Sequence, residues 1–484
     1  MAKRTKIVAT LGPATDAPGV LEALLRAGVD VARINFSHGS NVERRQRVEA
    51  IRAAAEQVGR DVAILGDLQG PKIRVECFRG GSVELREGAP FALDASLAPD
   101  AGDEHAVGLA YKALPADVRP GDVLLLNDGA ITLEVEEVAG SRVSCRVRAG
   151  GILSDHKGIN RLGGGLSAGA LTDKDREDIL TAAELGLDFL AVSFPRDAED
   201  MEETRSLLHA AGGRALLVAK IERAEAVENI AAIVRASDVV MVARGDLGVE
   251  IGFAEVPGVQ KNIIRVARAM NRVVITATQM MESMIHERIP TRAEVSDVAN
   301  AVIDGTDAVM LSGETAIGRY PVKAVEAMAS ACVAAEKQRA TSISHHRMDD
   351  VFERIDEAIA MATMYVANHL DVKAIVALTE SGSTALWMSR IRSGIPIYAF
   401  SRSESTRRRV AMYRGVYPVS FDVLADLDGS FAAICKTLIG RGIATAGDRI
   451  LLTEGHEAGV AGGTNTMKIL TVEAPPEPRG PVPA

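Results

Sequence analysis

The chain has 484 residues, of which 47% are hydrophobic and 25% charged, the make-up of a globular protein with about three domains at roughly 100–200 residues each. A chain of this length buries several cores without help from disulfides or a structural metal. Its formal charge of −10, from 55 basic and 65 acidic residues, and its aromatic content of 4% with a single tryptophan, Trp387, argue against a nucleic-acid binder and against a basic membrane-surface protein.

The N-terminus carries Lys3, Arg4 and Lys6, then an apolar stretch cut by Gly12 and Pro13. That is too short for a signal peptide, and no run approaches the ~18 apolar residues of a membrane span. Cys77, Cys145, Cys332 and Cys435 are widely separated and form no CxxC pair, which reads as four ordinary thiols in a cytoplasmic protein.

Eight short apolar runs follow one another, at residues 6–11, 31–35, 63–67, 189–193, 216–220, 239–243, 273–277 and 308–311. Near-continuous apolar strands are those buried on both faces, as in a parallel sheet. Helical patterns lie between most of them; Val48, Ile51, Ala55 and Val58 make one stripe, and Pro321 opens a helix after the eighth run. Eight strand–helix units predict a (β/α)8 barrel, although a doubly wound sheet gives similar alternation.

About 120 residues separate the third and fourth runs. Strand-like segments at 83–85, 123–126, 131–138 and 143–147, with the turn Asn127-Asp128-Gly129, predict an inserted β domain over residues 71–167. The barrel then comprises residues 1–70 and 168–344. A small open α/β domain is expected over 345–473, with strands at 374–378, 397–399, 417–420, 450–453 and 469–472. Residues 474–484 hold five prolines and read as a flexible tail.

Polar residues gather at the ends of the apolar runs: Arg33, Asn35 and Ser37 after the second, Asp67 after the third, Lys220 and Glu222 after the fifth, Arg244, Gly245 and Asp246 after the sixth, Thr278 and Gln279 after the seventh, Ser312 and Glu314 after the eighth. In a (β/α)8 barrel these strand ends converge on the face that carries active sites. Glu222 and Asp246 are hard oxygen ligands suited to Mg²⁺. Arg33, Arg244 and Lys220 are cations able to clamp phosphate or carboxylate oxygens. The set points to an anionic, phosphorylated substrate handled through a divalent metal; the plain alternative is a salt-bridge network at the barrel mouth. No Walker A loop, HExxH or GxSxG occurs. Residues 163–168 (GGGLSA) fit a dinucleotide loop only superficially, because residues 155–161 before them read as a charged, non-strand stretch.

Several segments then form a recognisable series: residues 5–15 (TKIVATLGPAT), 33–39 (RINFSHG), 66–74 (GDLQGPKIR), 219–223 (AKIER), 241–250 (MVARGDLGVE), 275–284 (ITATQMMESM), 290–298 (PTRAEVSDV) and 304–315 (DGTDAVMLSGET). The chain resembles the pyruvate kinase family over residues 5–473, and the GDLQGPKIR stretch is similar to the bacterial type activated by AMP or sugar phosphates. The resemblance implies a barrel, an inserted β-barrel lid and a C-terminal regulatory domain, a homotetrameric assembly, and transfer of a phosphoryl group from phosphoenolpyruvate to ADP, the last step of glycolysis. By position it implies Glu222 and Asp246 as ligands of Mg²⁺ (or Mn²⁺), Lys220 as stabiliser of the transferring phosphoryl group and the enolate, and Arg33 as a phosphoryl clamp. Gly245, Asp246 and Thr278 would contact the substrate carboxylate, and Asn35, Arg74 and Lys157 the nucleotide. Thr278 and Ser312 would lie on a proton path to the enolate. A phosphorylated effector would bind at Thr379, Glu380, Ser381, Gly382, Ser383 and Thr384, where a strand gives way to a helix; plain N-capping by Ser381 or Ser383 is the other reading.

Asn35, Ser37, Asp67 and the Leu68 carbonyl match the family's K⁺ site. Many members have Glu where this chain has Lys72, and Ser or Thr where it has Leu68. The paired departure points toward K⁺-independent activity, with the Lys72 ammonium supplying the charge; a solvated hinge lysine is the alternative. Two other functions compete. A Mg²⁺-dependent aldolase or lyase would share the carboxylate pair but has no use for the lid and Lys157. A non-catalytic sensor of phosphorylated metabolites would be expected to lack a catalytic residue, and none of the matched positions is missing.

Overall fold

The computed structural model describes residues 3–342, 351–422, 427–455 and 462–473. The expected start of the C-terminal domain at 345 and the proline-rich tail at 474–484 lie outside the described residues.

The eight expected runs are eight parallel strands: Lys6–Thr10, Val31–Asn35, Ala63–Asp67, Phe189–Val192, Leu216–Ile221, Val239–Ala243, Val273–Ala277 and Ala308–Leu311. They close into one barrel, so the doubly wound alternative falls away. Six of the eight are buried along their whole length. The other two, Val31–Asn35 and Leu216–Ile221, are half-buried at Arg33 and Asn35 and at Leu216 and Lys220. An apolar strand ending in a charge places that charge at the mouth, because side chains that cannot be desolvated alone are excluded from the packed interior.

Helix starts between the strands are fixed locally. Thr172 and Asp175 form a capping box at Asp173–Glu184, Thr291 and Glu294 form another at Arg292–Asp304, and Asp197 caps Ala198–Ala210. Pro321 opens Pro321–Ala335, as its fixed φ favours.

The inserted segment forms a six-stranded sheet and a two-stranded sheet, Gly151–Ser154 with Ser82–Leu85. The larger sheet runs in the order Ile159–Arg161, Val123–Leu126, Ile131–Ala139, Arg142–Ala149, Pro90–Asp94, Ala106–Gly108. The Asn127-Asp128-Gly129 turn is built as its residues require, with φ of 53°, 55° and 88°. The expectation of a non-strand stretch at 155–161 is corrected: Ile159–Arg161 pairs antiparallel with Val123–Leu126. A three-residue strand at a sheet edge has no periodicity to reveal it. The 163–168 loop still opens no helix, since the next one begins at Asp173.

The C-terminal sheet has five strands, ordered Val416–Ser420, Ile397–Ser401, Ala374–Leu378, Arg449–Gly455, Thr464–Thr471, with only the last pair antiparallel.

Two compact units share the chain: residues 1–33, 47–64 and 280–484, and residues 34–46 and 65–279. In the first, Arg390 follows the helix Ser383–Ser389 and is 1% exposed. Its guanidinium forms a fork-on-fork pair with Asp307, which is 1% exposed and immediately precedes the eighth strand. Removing one member of such a pair strands a buried charge. Asp307→Ala is expected to lower unfolding stability by about 3–5 kcal/mol, whereas Arg390→Met/Asp307→Leu should cost much less. Urea unfolding of the two variants checks this; equal losses would show that the pair's charges are not the source.

Candidate active site

The centre of the second unit is Lys220. Leu217, Val218 and Ala219 bury the strand ahead of it, and its Nζ emerges 2.9 Å from Glu222 Oε1 and 3.2 Å from Asp67 Oδ1. It donates to Ser193 Oγ at 2.7 Å, and Ser193 in turn donates to the Leu68 carbonyl at 2.7 Å. Glu222 Oε2 accepts the Phe194 N–H at 2.9 Å. Phe194 has φ 55°, a left-handed conformation rare for an aromatic residue, and that twist belongs to the backbone presenting the N–H. Burial pushes the Glu222 carboxyl up to about 7; Lys220 pulls it down, while Asp246 and Asp67 add to the rise.

Ser193 was not among the strand-end residues singled out from sequence. It closes the fourth apolar run, and a hydroxyl after an apolar run carries no charge signal. Its position between Lys220 and Leu68 makes it part of the cluster.

Lys72 is not a solvated hinge residue. Its Nζ lies 3.0 Å from Asp246 Oδ1 and 3.7 Å from Asp128 Oδ1, and its side chain is 27% exposed. Burial alone would lower its pKa, but Asp246 and Asp128 outweigh that and hold it above the ordinary lysine value. The Lys72 charge therefore reaches one of the two candidate metal carboxylates.

Arg33 sits mid-strand in Val31–Asn35 and Lys220 is the penultimate residue of Leu216–Ile221, and the third expected clamp, Arg244, is corrected. Its guanidinium is buried and donates to the carbonyls of Ala277, Thr278 and Gln279. Thr278 and Gln279 have φ of 67° and 53°, so Arg244 ties down a strained turn, whose left-handed residues cost about 1–3 kcal/mol each. The turn aims Thr278 Oγ1 at the Gly245 N–H, 2.8 Å away, while its own proton goes to the Ala277 carbonyl at 2.6 Å. Sequence shows an arginine at a strand end but not that nearby carbonyls consume it.

Nearby, Asn35 Oδ1 accepts the Ser37 N–H at 3.1 Å. In the inserted segment, outside its named strands, Arg74 donates to the His156 carbonyl at 2.9 Å and the Lys157 carbonyl accepts the Val75 N–H at 2.9 Å. In the first unit, Arg33 donates to Thr10 Oγ1 at 2.9 Å and the Ser312 N–H to Glu314 Oε2 at 2.7 Å. Also in that unit, Thr379 Oγ1 accepts the Gly382 N–H at 2.9 Å, and Ser381 and Ser383 share a 3.2 Å bond. Gly382, with φ 86° and no side-chain cap, occupies the N-cap position, so neither Ser381 nor Ser383 does. Thr384 differs from the rest: it is 1% exposed and its hydroxyl bonds Thr464 at 2.7 Å.

Among the described residues no group of three or more His, Cys, Asp or Glu could hold a metal. Glu222 and Asp246 remain, close enough for one charge to raise the other's pKa. Two carboxylates, with other positions left to water and substrate oxygens, fit Mg²⁺. No helix among the described residues is long and apolar enough to cross a membrane.

Comparison with known proteins adds the following. Residues 2–325 match the barrel domain of pyruvate kinase and residues 357–470 its alpha/beta domain. The chain is 57% identical to pyruvate kinase II of Salmonella typhimurium over 475 residues, covering 97% of this chain and 99% of that one. It is 54% identical to a pyruvate kinase of Haemophilus influenzae, with the same coverage, and 40% identical to one of Mycobacterium tuberculosis, covering 97% and 98%.

One further carboxyl borders the site. Glu250 lies in the last turn of the helix Arg244–Ile251, which begins with Arg244, Gly245 and Asp246; it is 3% exposed and accepts the Ala224 N–H at 2.9 Å. Burial pushes it up to about 7, against the Ala224 N–H and Arg223, which lower it. A raised carboxyl pKa stabilises fully below the unfolded value and loses that contribution as pH rises through about 7. Glu250→Gln, neutral throughout, should therefore gain about 3 kcal/mol on the native chain between pH 5 and pH 8. Urea unfolding at both pH values checks this; a gap that does not change would mean that Glu250 titrates normally.

Proposed function

The chain belongs to the pyruvate kinase family, and from that membership and the charge cluster around Lys220 we propose that it transfers the phosphoryl group of phosphoenolpyruvate to ADP, giving pyruvate and ATP. The observation that carries this reading is Lys220 Nζ, 2.9 Å from Glu222 and 3.2 Å from Asp67, with Lys72 3.0 Å from Asp246. Alternating ammonium and carboxylate groups suit a reaction in which negative charge spreads and moves while little covalent work falls to the protein.

Glu222 and Asp246 would hold Mg²⁺ (or Mn²⁺), which supplies neutralisation of the phosphoryl and enolate oxygens. Lys220 stabilises the same charge as it develops, and Arg33 clamps phosphoryl oxygens. Gly245, Asp246 and Thr278 orient the substrate carboxylate. Thr278 and Ser312 lie on the hydroxyl path that returns a proton to the enolate carbon. Asn35, Arg74 and Lys157 bind the nucleotide, and the inserted domain, residues 71–167, closes over it to exclude water. The C-terminal domain, 345–473, takes a phosphorylated effector (AMP or a sugar phosphate) at 379–384, where the strand–turn–helix offers backbone N–H groups. The working assembly is a cytoplasmic homotetramer acting at the last step of glycolysis. A lyase gives no role to the inserted domain and Lys157, and a non-catalytic sensor would be expected to lack a catalytic residue, whereas every matched position is present.

Lys220→Met should lower kcat by about 100-fold or more while the KM for phosphoenolpyruvate changes little, because the charge matters most in the transition state. Asp246→Asn should instead raise the Mg²⁺ needed for half-activation about tenfold or more. Steady-state kinetics with ADP-dependent pyruvate formation checks both; near-normal turnover in Lys220→Met would remove it from catalysis.

The Lys72 ammonium takes over the charge that K⁺ supplies in many relatives, with Asn35, Ser37, Asp67 and the Leu68 carbonyl left as a dispensable cation pocket. One unit charge about 5 Å away is worth roughly 3 kcal/mol at an effective dielectric near 20, on the order of 100-fold in rate. When tetramethylammonium replaces K⁺ at constant ionic strength, native activity should persist and Lys72→Glu should become K⁺-responsive. Collapse of native activity would restore Asn35, Ser37 and Asp67 as an obligatory cation site.

A further inference from the structure

The inserted sheet returns to the barrel through Gly163, Gly164 and Gly165, whose φ values are 84°, 77° and 93°. Three successive left-handed residues make a turn that other residues rarely adopt. It is gripped from both sides. From the inserted sheet, Arg161 donates to the Gly164 carbonyl at 3.1 Å and pairs with Asp122 at 2.9 Å. From the barrel, Glu225 Oε1 accepts the Gly165 N–H, the Glu250 carbonyl accepts the Gly163 N–H at 2.8 Å, and Arg223 donates to the carbonyls of Leu166 and Ala168.

Two buried polar atoms flanking this turn make no hydrogen bond, Arg161 Nε and Glu225 Oε2. They belong to a guanidinium and a carboxylate, the pair that would satisfy one another. What stands between them is the glycine turn. A Cβ on Gly164 would lie 2.8 Å from Glu225 Oε2, and one on Gly165 would strike the Arg161 guanidinium. Glu225 also feels the charge of Arg196, which is bonded to Asp200. Each group thus keeps one buried atom unpaired while its other atoms are bonded, a cost that a direct pair would remove.

We propose that Arg161 and Glu225 are positioning residues for lid closure: here the 164–165 peptide separates them, and a shift of the glycine turn lets guanidinium and carboxylate pair directly, holding the lid in a second position. The shift releases the Gly165 N–H from Glu225. Glu225 follows Glu222 by three residues and Glu250 follows Asp246 by four, so both barrel-side grips sit on the segments that carry the metal carboxylates. Lid position and metal occupancy are thereby mechanically linked. This rests on the reading of the inserted domain as a nucleotide-binding lid.

The test uses the full chain as Glu225→Gln, Arg161→Gln and the double variant, with Lys157→Ala as a separate probe of the lid. Gln at 225 still accepts the Gly165 N–H, so the position seen here survives and only the new pair is lost. Each single variant should raise the KM for ADP about fivefold to tenfold with kcat within about twofold, and the double should be no worse than the poorer single. Adding Mg²⁺–ADP should speed hydrogen exchange at the Gly165 amide in the native chain and not in either variant, a readout that still decides if one variant fails to fold. Unchanged KM for ADP in the singles, or effects that multiply in the double, overturns the pairing when Lys157→Ala does raise that KM. A native KM for ADP in Lys157→Ala overturns the lid reading itself.

Discussion

The carboxylates gathered in the second unit depend on one ammonium, that of Lys220. Lys220 Nζ is shared by Glu222, Asp67 and Ser193, which come from the ends of three different strands. Asp67 and Glu222 are 0% and 1% exposed, and carboxylates buried to that degree call for a cation alongside. The ammonium therefore offsets the cost of burying both carboxylates, and they in turn fix where the ammonium sits. The same logic recurs beside the inserted domain, where Lys72 answers Asp246 and Asp128.

Parallel strands explain why these charges meet. Each brings an apolar stretch that the barrel interior and the surrounding helices bury, then releases the chain at the same end. The backbone departs from ordinary conformations just there: Phe194, Thr278 and Gln279 all have positive φ. In each case the strain is tied to a contact, Phe194 through its N–H to Glu222 and the Thr278–Gln279 turn through Arg244. Strain of this kind persists only where surrounding bonds over-determine it, and here those bonds come from the groups that line the site. The glycine turn at 163–165 is the permissive counterpart: its conformation costs glycine little, which leaves it free to change.

The fold was largely legible in the chain. Two-sided burial forces near-continuous apolar runs, and all eight barrel strands were found that way, as were the Asn127-Asp128-Gly129 hairpin and the main strands of the C-terminal sheet. Short strands such as Ile159–Arg161 and Ala106–Gly108 were not, because three residues carry no period and their pairing partners lie far along the chain. Charged site residues were legible for the same reason as the strands, since a charge after an apolar run has few places to go. Ser193 was missed because a hydroxyl is unremarkable at a strand end.

Residue types and their order thus determined by themselves the barrel, the inserted sheet, the C-terminal sheet and which charges gather at the strand ends. Only the tertiary structure decided what each charge does. Arg33 and Arg244 look alike in sequence, yet Arg244 is spent on three carbonyls of a strained turn. Lys72 reads equally as a solvated hinge lysine or as a site cation until its 3.0 Å approach to Asp246 is seen. Thr384 reads like its neighbours Ser381 and Ser383 until its hydroxyl is found buried against Thr464. The physical reason is common to all three. Hydrophobic burial follows local pattern, whereas a hydrogen bond or ion pair is set by whichever partner, often a hundred residues away, folding brings within about 3 Å.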